Sequence, residues 1–265
     1  MEAAAIVSEL AALVREKHTA TLEAPFGWDK TLELNVPAHG YSAGFRSFST
    51  ISNAWDEIAD SYHGYMLRTG HYEAQHELLE ALREHVKGEV VEIGCGAGEV
   101  ARWITTQTPH GVQGYTGVDA SLQMVELARK NNAVCKRTQE DSGPRMGFVH
   151  AKAEELDGIF DTVALFNMVA YAGIEQIREA VGRITAPDGK LILAEEDPFV
   201  PAFFKRYASR AQRELERMER MPIDSMKQVF GEGGWQQIDE TWVPIDTVHG
   251  LRGMVFARTK KGGGS

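Results

Sequence analysis

Cysteine is scarce in this chain. Only Cys95 and Cys135 occur in the 265 residues, and they form no CxxC pair and have no cluster of histidines near them. Their spacing excludes a disulfide framework and argues against a zinc site, so we expect no metal. Low cysteine use is typical of a reducing compartment, and we therefore expect a cytoplasmic protein.

Basic charge and long apolar runs are also in short supply. The chain has 28 Lys and Arg against 38 Asp and Glu, a formal net charge of −10. This balance repels a nucleic-acid backbone and favours a small-molecule partner. No run approaches the ~20 apolar residues that span a bilayer. The first residues lack the basic leader of a signal peptide, so we expect no membrane partner.

What the sequence does contain is an alternation of strand and helix patterns between residues 89 and 196. The strand candidates are residues 90–93, 115–118, 147–150, 160–166 and 190–194. The helical patterns between them cover residues 100–106, 121–131 and 174–184. Such alternation predicts parallel strands with helices on both faces of the sheet. Ser121 is a plausible N-cap for the helix that follows the second strand.

Two further strand candidates, residues 235–243 and 253–258, indicate an antiparallel pair that closes the sheet. The sequence therefore predicts an α/β fold: a doubly wound, Rossmann-like sheet of about seven strands, mostly parallel with an antiparallel closing strand. We expect this domain to cover residues 51–260, with a helical lid insertion at about 198–222. Residues 1–50 would form an N-terminal helix and an aromatic-rich cap, and residues 261–265 a flexible tail.

A glycine-rich loop follows the first predicted strand. Gly94, Gly96 and Gly98 remove side chains where a nucleotide-type ligand must approach the backbone. A dinucleotide fingerprint, GxGxxG, would require a third glycine where this chain has Glu99. A pyrophosphate at the helix N-terminus would meet that carboxylate, whereas S-adenosylmethionine (SAM) carries no phosphate.

Two other acids accompany the loop. Glu92 stands two residues before the first glycine, where it could hold the ammonium group of a bound ligand directly or through water. Asp119 follows the last glycine by roughly 20 positions and could accept hydrogen bonds from both ribose hydroxyls. Asp119 suits either cofactor, but Glu92 and Glu99 favour SAM.

The chain resembles the class I SAM-dependent methyltransferases over residues 51–260, through EIGCGAG, GVDAS, FDTVALFNMVAY and ITAPDGKLILAEED in that order. WDEIADSY is similar to the helix that precedes the core in the ubiquinone and small-molecule branch. This resemblance implies that Tyr62 covers the cofactor. Many members bind the adenine amino group through an Asp after the third strand, but this chain has Lys152 there. We therefore expect Ala153, through its backbone, and Glu154 to bind adenine.

The residues at the ends of strands four and five are the candidates for the acceptor side of the site. Both strands end beside the crevice, which places Asn167, Tyr171, Glu196 and Asp197 near the acceptor. Asn167 is expected to contact the cofactor as well. Tyr171 and Asp197 are the predicted catalytic residues. Because the sulfonium methyl is already activated, alignment and exclusion of water are the main tasks and a base is optional.

Three functions stay open. The favoured one is in-line transfer of the SAM methyl group to a nucleophilic atom of a small molecule. The alternatives are a protein or RNA methyltransferase and a SAM-binding protein that transfers no methyl group. Enzymes that methylate nucleic-acid bases tend to carry Asp or Asn followed by Pro-Pro-aromatic after strand four, whereas this chain reads FNMVAY.

One helical pattern after strand five carries a stripe of arginines. Its members are Arg206, Arg210, Arg213, Arg217 and Arg220. They could grip a carboxylate or phosphate of the acceptor. A solvated helix face, whose charge is balanced by neighbouring glutamates, also explains the arginines and is the favoured interpretation. A monomer and a homodimer both fit the sequence.

Overall fold

The computed structural model describes residues 48–107, 111–133, 143–169, 174–197, 223–247 and 249–259. The predicted N-terminal helix and cap up to residue 47, the arginine stripe with its lid, Tyr171 and the predicted tail lie outside these residues. In the described part of the chain, no helix combines the length and the apolar character that crossing a membrane requires.

The described residues form six helices and seven strands, joined in two places by 3₁₀ turns. The helices are α1 (Phe48–Arg68), α2 (His71–Ala81), α3 (Glu99–Gln107), α4 (Leu122–Asn131), α5 (Ile174–Ile184) and α6 (Ile223–Glu232). The strands are β1 (Gly88–Ile93), β2 (Val112–Asp119), β3 (Arg145–His150), β4 (Phe160–Phe166), β5 (Thr185–Asp197), β6 (Trp235–Pro244) and β7 (Gly250–Arg258). The 3₁₀ turns are Arg83–His85 and Ala153–Glu155. Every predicted strand overlaps an observed one.

The seven strands form one sheet in the order β3-β2-β1-β4-β5-β7-β6. All pairs from β3 to β5 are parallel, while β7 runs antiparallel to both β5 and β6. This arrangement confirms the predicted fold class. The chain winds outward in opposite directions from β1 and β4, and the crevice at this switch point is where doubly wound sheets bind ligands.

Both faces of the sheet are buried, which explains the nearly continuous apolar strands. Neighbouring strand residues point to opposite faces: Ala164 packs in the core beneath Leu78 of α2 and Trp103 of α3, and Val163 in the core beneath Phe230 of α6. Burial of each large apolar side chain contributes about 1.5 to 3 kcal/mol. The sheet is therefore a stable frame that fixes the positions of the strand ends.

Helix α4 begins directly after β2, as the sequence indicates. Ser121 is its N-cap, with the Ser121 hydroxyl accepting a hydrogen bond from the Met124 N–H at 3.1 Å. Because this cap lies two residues after Asp119, the strand β2 ends at Asp119. The carboxylate of Asp119 is thereby held at the edge of the crevice.

Candidate functional site

A cleft opens at the carboxyl ends of β1, β2 and β4, below helices α1 and α2. It encloses about 1010 Å³, its open mouth included. The predicted site residues that line it are Tyr62, Glu92, Gly94, Gly96, Asp119, Ala153 and Asn167. Gly98, Glu154 and Asp197 do not line it. The fold thus brings most of the predicted cofactor residues into one cavity.

The three glycines of the loop have different surroundings. All have positive φ, of 76° at Gly94, 48° at Gly96 and 82° at Gly98. A Cβ atom at Gly96 would have no heavy atom within 4 Å, so the loop presents bare backbone to the open cleft. A Cβ atom at Gly98 would lie 2.6 Å from Asn132 Nδ2 and 3.0 Å from Ala128 Cβ. Gly96 therefore leaves room for a ligand, and Gly98 leaves room for α4.

Asp119 is locked to the same loop. Its Oδ2 accepts a hydrogen bond from the Gly96 N–H at 2.9 Å, and its Oδ1 accepts one from the Ser121 N–H at 2.9 Å. Burial raises the pKa of this carboxyl, while the two backbone N–H donors oppose the rise. Each carboxylate oxygen can accept a further hydrogen bond, so the group is prepared for a diol such as a ribose.

Glu92 is buried at the floor of the cleft, with 2% of its surface exposed. The Tyr115 hydroxyl donates a hydrogen bond to Glu92 Oε2. Burial raises the pKa of Glu92 well above its usual range, and the Tyr115 hydrogen bond opposes this only in part. A buried carboxylate without a cationic partner is unfavourable, so a ligand cation that reached Glu92 would be stabilised by it.

Glu99 begins α3 and also lines the cleft, but it is not the isolated charge that the sequence argument assumed. Its Oε2 lies 2.7 Å from Arg102 Nε and 3.3 Å from His76 Nε2. Burial acts to raise the pKa of Glu99, but the nearby His76 ring and the hydrogen bond from Arg102 outweigh burial and hold the pKa below its usual value. Glu99 is therefore ionised, and Arg102 offsets its charge.

Helix α1 closes the cleft from above, and a carboxylate on its first turns attaches it to the core. Asp56 Oδ1 accepts hydrogen bonds from the Ser121 hydroxyl at 2.6 Å and from the Gln123 N–H at 3.0 Å. Tyr62 lines the cleft, and its ring packs edge-on against Trp55 with 5.0 Å between the ring centroids. The position agrees with the covering role that the resemblance implies for Tyr62.

Sequence reasoning missed several residues that line the cleft. They are Trp55 and Met66 on α1, and Tyr72 and Gln75 on α2. With Tyr62, the two on α1 recur at spacings of seven and four, which is one face of a helix. That periodicity was a usable signal, but it could not show that this face covers a cleft.

The opposite end of the cleft lies after β3. Lys152 lines it at the position where the resembling family carries an acid, and the buried Ala153 lines it beside Lys152. Glu154 is exposed, and its carbonyl accepts a hydrogen bond from Arg183 Nη2 at 2.9 Å. The structure thus places Ala153 in the cleft and the Glu154 side chain outside it.

The acceptor side of the cleft is formed by the residue after β4. Asn167 has a positive φ of 50°, a conformation that asparagine tolerates better than most residues. Its N–H donates to the Ala194 carbonyl at 2.8 Å, and its Oδ1 accepts from the Glu196 N–H at 3.1 Å. Asp197 instead faces β7, where its Oδ2 lies 3.3 Å from Arg252 Nη1. The Glu196 backbone is therefore bonded to a residue of the cleft wall, while neither Glu196 nor Asp197 lines the cleft itself.

The family model described as a methyltransferase domain matches residues 90–189. This range contains the glycine loop, Asp119, Ala153 and Asn167. The match confirms the resemblance inferred from the sequence motifs.

Two curated relatives match part of this chain. Methyltransferase GfsG of Streptomyces halstedii is 29% identical over 123 residues, which are 45% of this chain and 41% of GfsG. The ubiquinone/menaquinone biosynthesis C-methyltransferase UbiE of Citrifermentans bemidjiense is 29% identical over 129 residues, 45% of this chain and 51% of UbiE. The chain thus matches about half, or less, of the length of either relative.

The chain also has the fold of solved structures. The magnesium protoporphyrin IX methyltransferase ChlM from Synechocystis PCC 6803, crystallised with SAH, superposes with a TM-score of 0.52 at 15% sequence identity. The superposition covers 83% of this chain and 90% of that one. At this identity the comparison shows the fold alone, which is the one predicted.

Proposed function

We propose that this protein transfers the methyl group of SAM to a nucleophilic atom of a small molecule by in-line displacement. One observation carries the cofactor assignment: bare backbone at Gly96 faces an open cleft, and Asp119 is bonded to that same backbone. A ligand that carries a ribose would use both features, and the buried Glu92 favours SAM over a dinucleotide because it can pair with the ligand ammonium group. When bound, SAM would supply an activated methyl group, so the chain's own residues would bind, orient and exclude water.

The residues divide the cofactor between them. Asp119 binds the ribose hydroxyls, Glu92 binds the methionine ammonium group, and Gly94 and Gly96 allow close approach of the backbone. Ala153 and Lys152 contact the adenine end. Tyr62 and Asn167 close the other sides of the cleft, and Gly98 supports the loop from behind by packing on α4.

A small molecule is the proposed acceptor class. The acidic balance of the chain disfavours nucleic acid. The names of UbiE and ChlM describe enzymes that act in quinone biosynthesis and on a magnesium porphyrin. A cytoplasmic location stays a prediction from the low cysteine content. The arginine stripe stays a prediction as well, and with it an acceptor that bears a carboxylate or phosphate.

Incubation of the protein with methyl-labelled SAM and a fractionated cell extract tests the proposal. We expect label in the fraction of small metabolites. Label in protein or RNA would favour a macromolecular methyltransferase. SAM binding with no transfer of label to any fraction would leave a SAM-binding protein of another function.

Asp119→Ala should weaken SAM binding by about 1 to 3 kcal/mol, because the ribose hydroxyls lose a charged acceptor and Gly96 loses its tether. Isothermal titration calorimetry measures the effect. Asp157→Asn is the matched control, since Asp157 is an exposed acid outside the cleft and should bind SAM as the wild type does. Wild-type affinity in Asp119→Ala would contradict the ribose assignment.

The affinity for SAM should rise with pH above the usual range of a glutamate carboxyl. Burial raises the pKa of Glu92 in the free protein, so the group must lose its proton when it pairs with the ligand ammonium. Below about pH 7 the ligand ammonium itself stays protonated. Calorimetry in buffers of different ionisation enthalpy should therefore detect proton release on binding. Glu92→Gln should bind more weakly and release no proton, and equal proton release in this variant would contradict the assignment.

A further inference from the structure

A buried polar cluster lies beside the cleft, on its β5 side. It consists of Thr69, His71 and Glu196, and we call it the Thr69–His71–Glu196 cluster. His71 Nδ1 lies 2.7 Å from Thr69 Oγ1, and His71 Nε2 lies 3.1 Å from Glu196 Oε1. The side chain of His71 is 2% exposed and that of Glu196 is 10% exposed. Buried ionisable groups of this kind need a structural or functional reason.

The cluster shares its supports with the cleft. Helix α2 contributes His71 to the cluster and the adjacent Tyr72 to the cleft wall. Strand β5 contributes Glu196, whose N–H donates to the side chain of Asn167, itself a residue of the cleft wall. The cluster therefore adjoins the cleft wall, on the side where the ends of β4 and β5 meet.

The hydrogen bonds determine which nitrogen of His71 carries a fixed proton. The Thr69 hydroxyl donates its only hydrogen to the Tyr65 carbonyl at 2.8 Å. In its contact with His71 Nδ1 it can therefore only accept, so Nδ1 carries a hydrogen. The second nitrogen, Nε2, faces a carboxylate oxygen, and two acceptors do not attract. One proton must lie between His71 Nε2 and Glu196 Oε1, which anchors the glutamate in one orientation.

The rest of the Glu196 carboxylate is available. Among the described residues, Glu196 Oε2 has no hydrogen-bond partner, and it is not one of the fully buried atoms. The Tyr65 ring packs beside His71, with 5.5 Å between the ring centroids. Burial, and then the charge of Glu196, raise the pKa of Tyr65, so this phenol keeps its proton and is not a base. Glu196 is the group in the cluster that can accept one.

Building on the function proposed above, we infer that Glu196 accepts the proton that the methyl acceptor loses, and that His71 is its positioning residue. This assigns the reacting atom of the acceptor to an oxygen or nitrogen that bears a hydrogen. The nucleophile's lone pair forms the bond to the methyl carbon as the carbon–sulfur bond breaks. The electron pair of that bond stays on sulfur, and the proton of the nucleophile passes to Glu196 Oε2 and later to water.

A carboxylate is a strong enough base for this step. An alcohol or amine becomes far more acidic while its lone pair is being methylated. A base of high pKa is therefore unnecessary, and the proton needs only an acceptor that is already in position. The anchored orientation of Glu196 provides such a placed acceptor. Loss of a general base typically lowers the rate about 100- to 10,000-fold.

The test compares the wild type with Glu196→Gln in two measurements. One is SAM affinity by calorimetry, and the other is kcat for transfer of labelled methyl to the small-metabolite fraction of a cell extract, with the product identified by mass spectrometry. Glu196→Gln should bind SAM as the wild type does while kcat falls about 100-fold or more. The methylated atom of the product should be oxygen or nitrogen. Glu73→Gln, an exposed acid on α2, is the matched control and should keep wild-type kcat.

A second set of variants tests the positioning role. The side-chain amide of glutamine can donate from about the place of Nε2, so His71→Gln should retain more kcat than His71→Ala. Thr69→Ser should keep the hydroxyl and the rate, whereas Thr69→Val should lower kcat without changing SAM affinity. Equal kcat in His71→Gln and His71→Ala would overturn the positioning role.

The outcomes separate this inference from the proposed function. Wild-type kcat in Glu196→Gln, or a product methylated at carbon or sulfur, overturns the role of Glu196 and leaves methyl transfer standing. A loss of kcat in Asp197→Asn without a loss in Glu196→Gln overturns it in favour of Asp197. A wild type that binds SAM and transfers no label overturns both.

Discussion

Replacing Glu195 by glutamine should remove a strong dependence of stability on pH. Glu195 is 4% exposed, and its Oε1 accepts a hydrogen bond from the Val169 N–H at 2.9 Å. Burial, with a smaller contribution from the charge of Glu196, raises the pKa of Glu195 to about 8. Between the unfolded value near 4.5 and the folded value, the folded protein holds a proton that the unfolded chain has lost.

Proton linkage gives the direction in which stability changes with pH. Since the folded state binds the extra proton, the free energy of unfolding decreases as pH rises through this window. One pKa unit corresponds to about 1.4 kcal/mol, so the wild type should lose about 3 kcal/mol between pH 5 and pH 8 from this group. Glutamine cannot ionise but keeps an oxygen to accept from Val169. Glu195→Gln should therefore not show this loss.

Denaturant unfolding at pH 5, 6, 7 and 8 measures the effect. The exposed Glu175, which pairs with Arg178 on the surface of α5, offers a matched control. Glu175→Gln should follow the wild-type pH profile. If the profiles of Glu195→Gln and the wild type run parallel, Glu195 is ionised in the folded protein and the assignment is wrong.

Two alanine substitutions in one loop should have opposite consequences. Gly98→Ala should lower the free energy of unfolding by about 3 kcal/mol or more, since it combines overpacking with a left-handed backbone. The added methyl group would meet Asn132, which is buried and donates to the carbonyls of both Gly98 and Ala128. Neither the side chain nor the helix behind it can move without breaking these bonds.

Gly96→Ala should lower stability by only about 1 kcal/mol, the typical cost of a non-glycine residue with positive φ. Its methyl group meets no protein atom, and Gly96 lines the cleft where the cofactor is proposed to lie. SAM binding should then become undetectable by calorimetry, although the protein folds. Wild-type affinity in Gly96→Ala, or an equal loss of stability in both variants, would refute the division of roles between the two glycines.

Much of the fold could be predicted because its signals are local. Parallel strands buried on both faces are short apolar runs, and residues 160–166 and 174–184 were predicted with the bounds observed for β4 and α5. The glycine loop and Asp119 are local signals too. Each directly follows a predicted strand, and the alternation of strands and helices already indicates which way that strand runs. Their meeting in one cleft follows from the parallel arrangement of β1 and β2.

The choice among consecutive acids at the end of β5 could not be made from the sequence. Glu195, Glu196 and Asp197 are all carboxylates at one strand end, and their partners come from distant segments. The Val169 N–H donates a hydrogen bond to Glu195, and His71 of α2 faces Glu196. Arg252 of β7 pairs with Asp197. The sequence prediction selected Asp197, whereas the proposal for Glu196 rests on these partners.

The sequence by itself determined the fold class, the glycine loop and the acid that follows β2, because backbone geometry and strand burial demand particular residues at particular positions. The tertiary structure alone decided which glycine faces the open cleft and which acids are buried. Those properties depend on contacts between residues far apart in the chain. The energy of a buried charge or of a single methyl group depends on what surrounds it, and no local pattern specifies that.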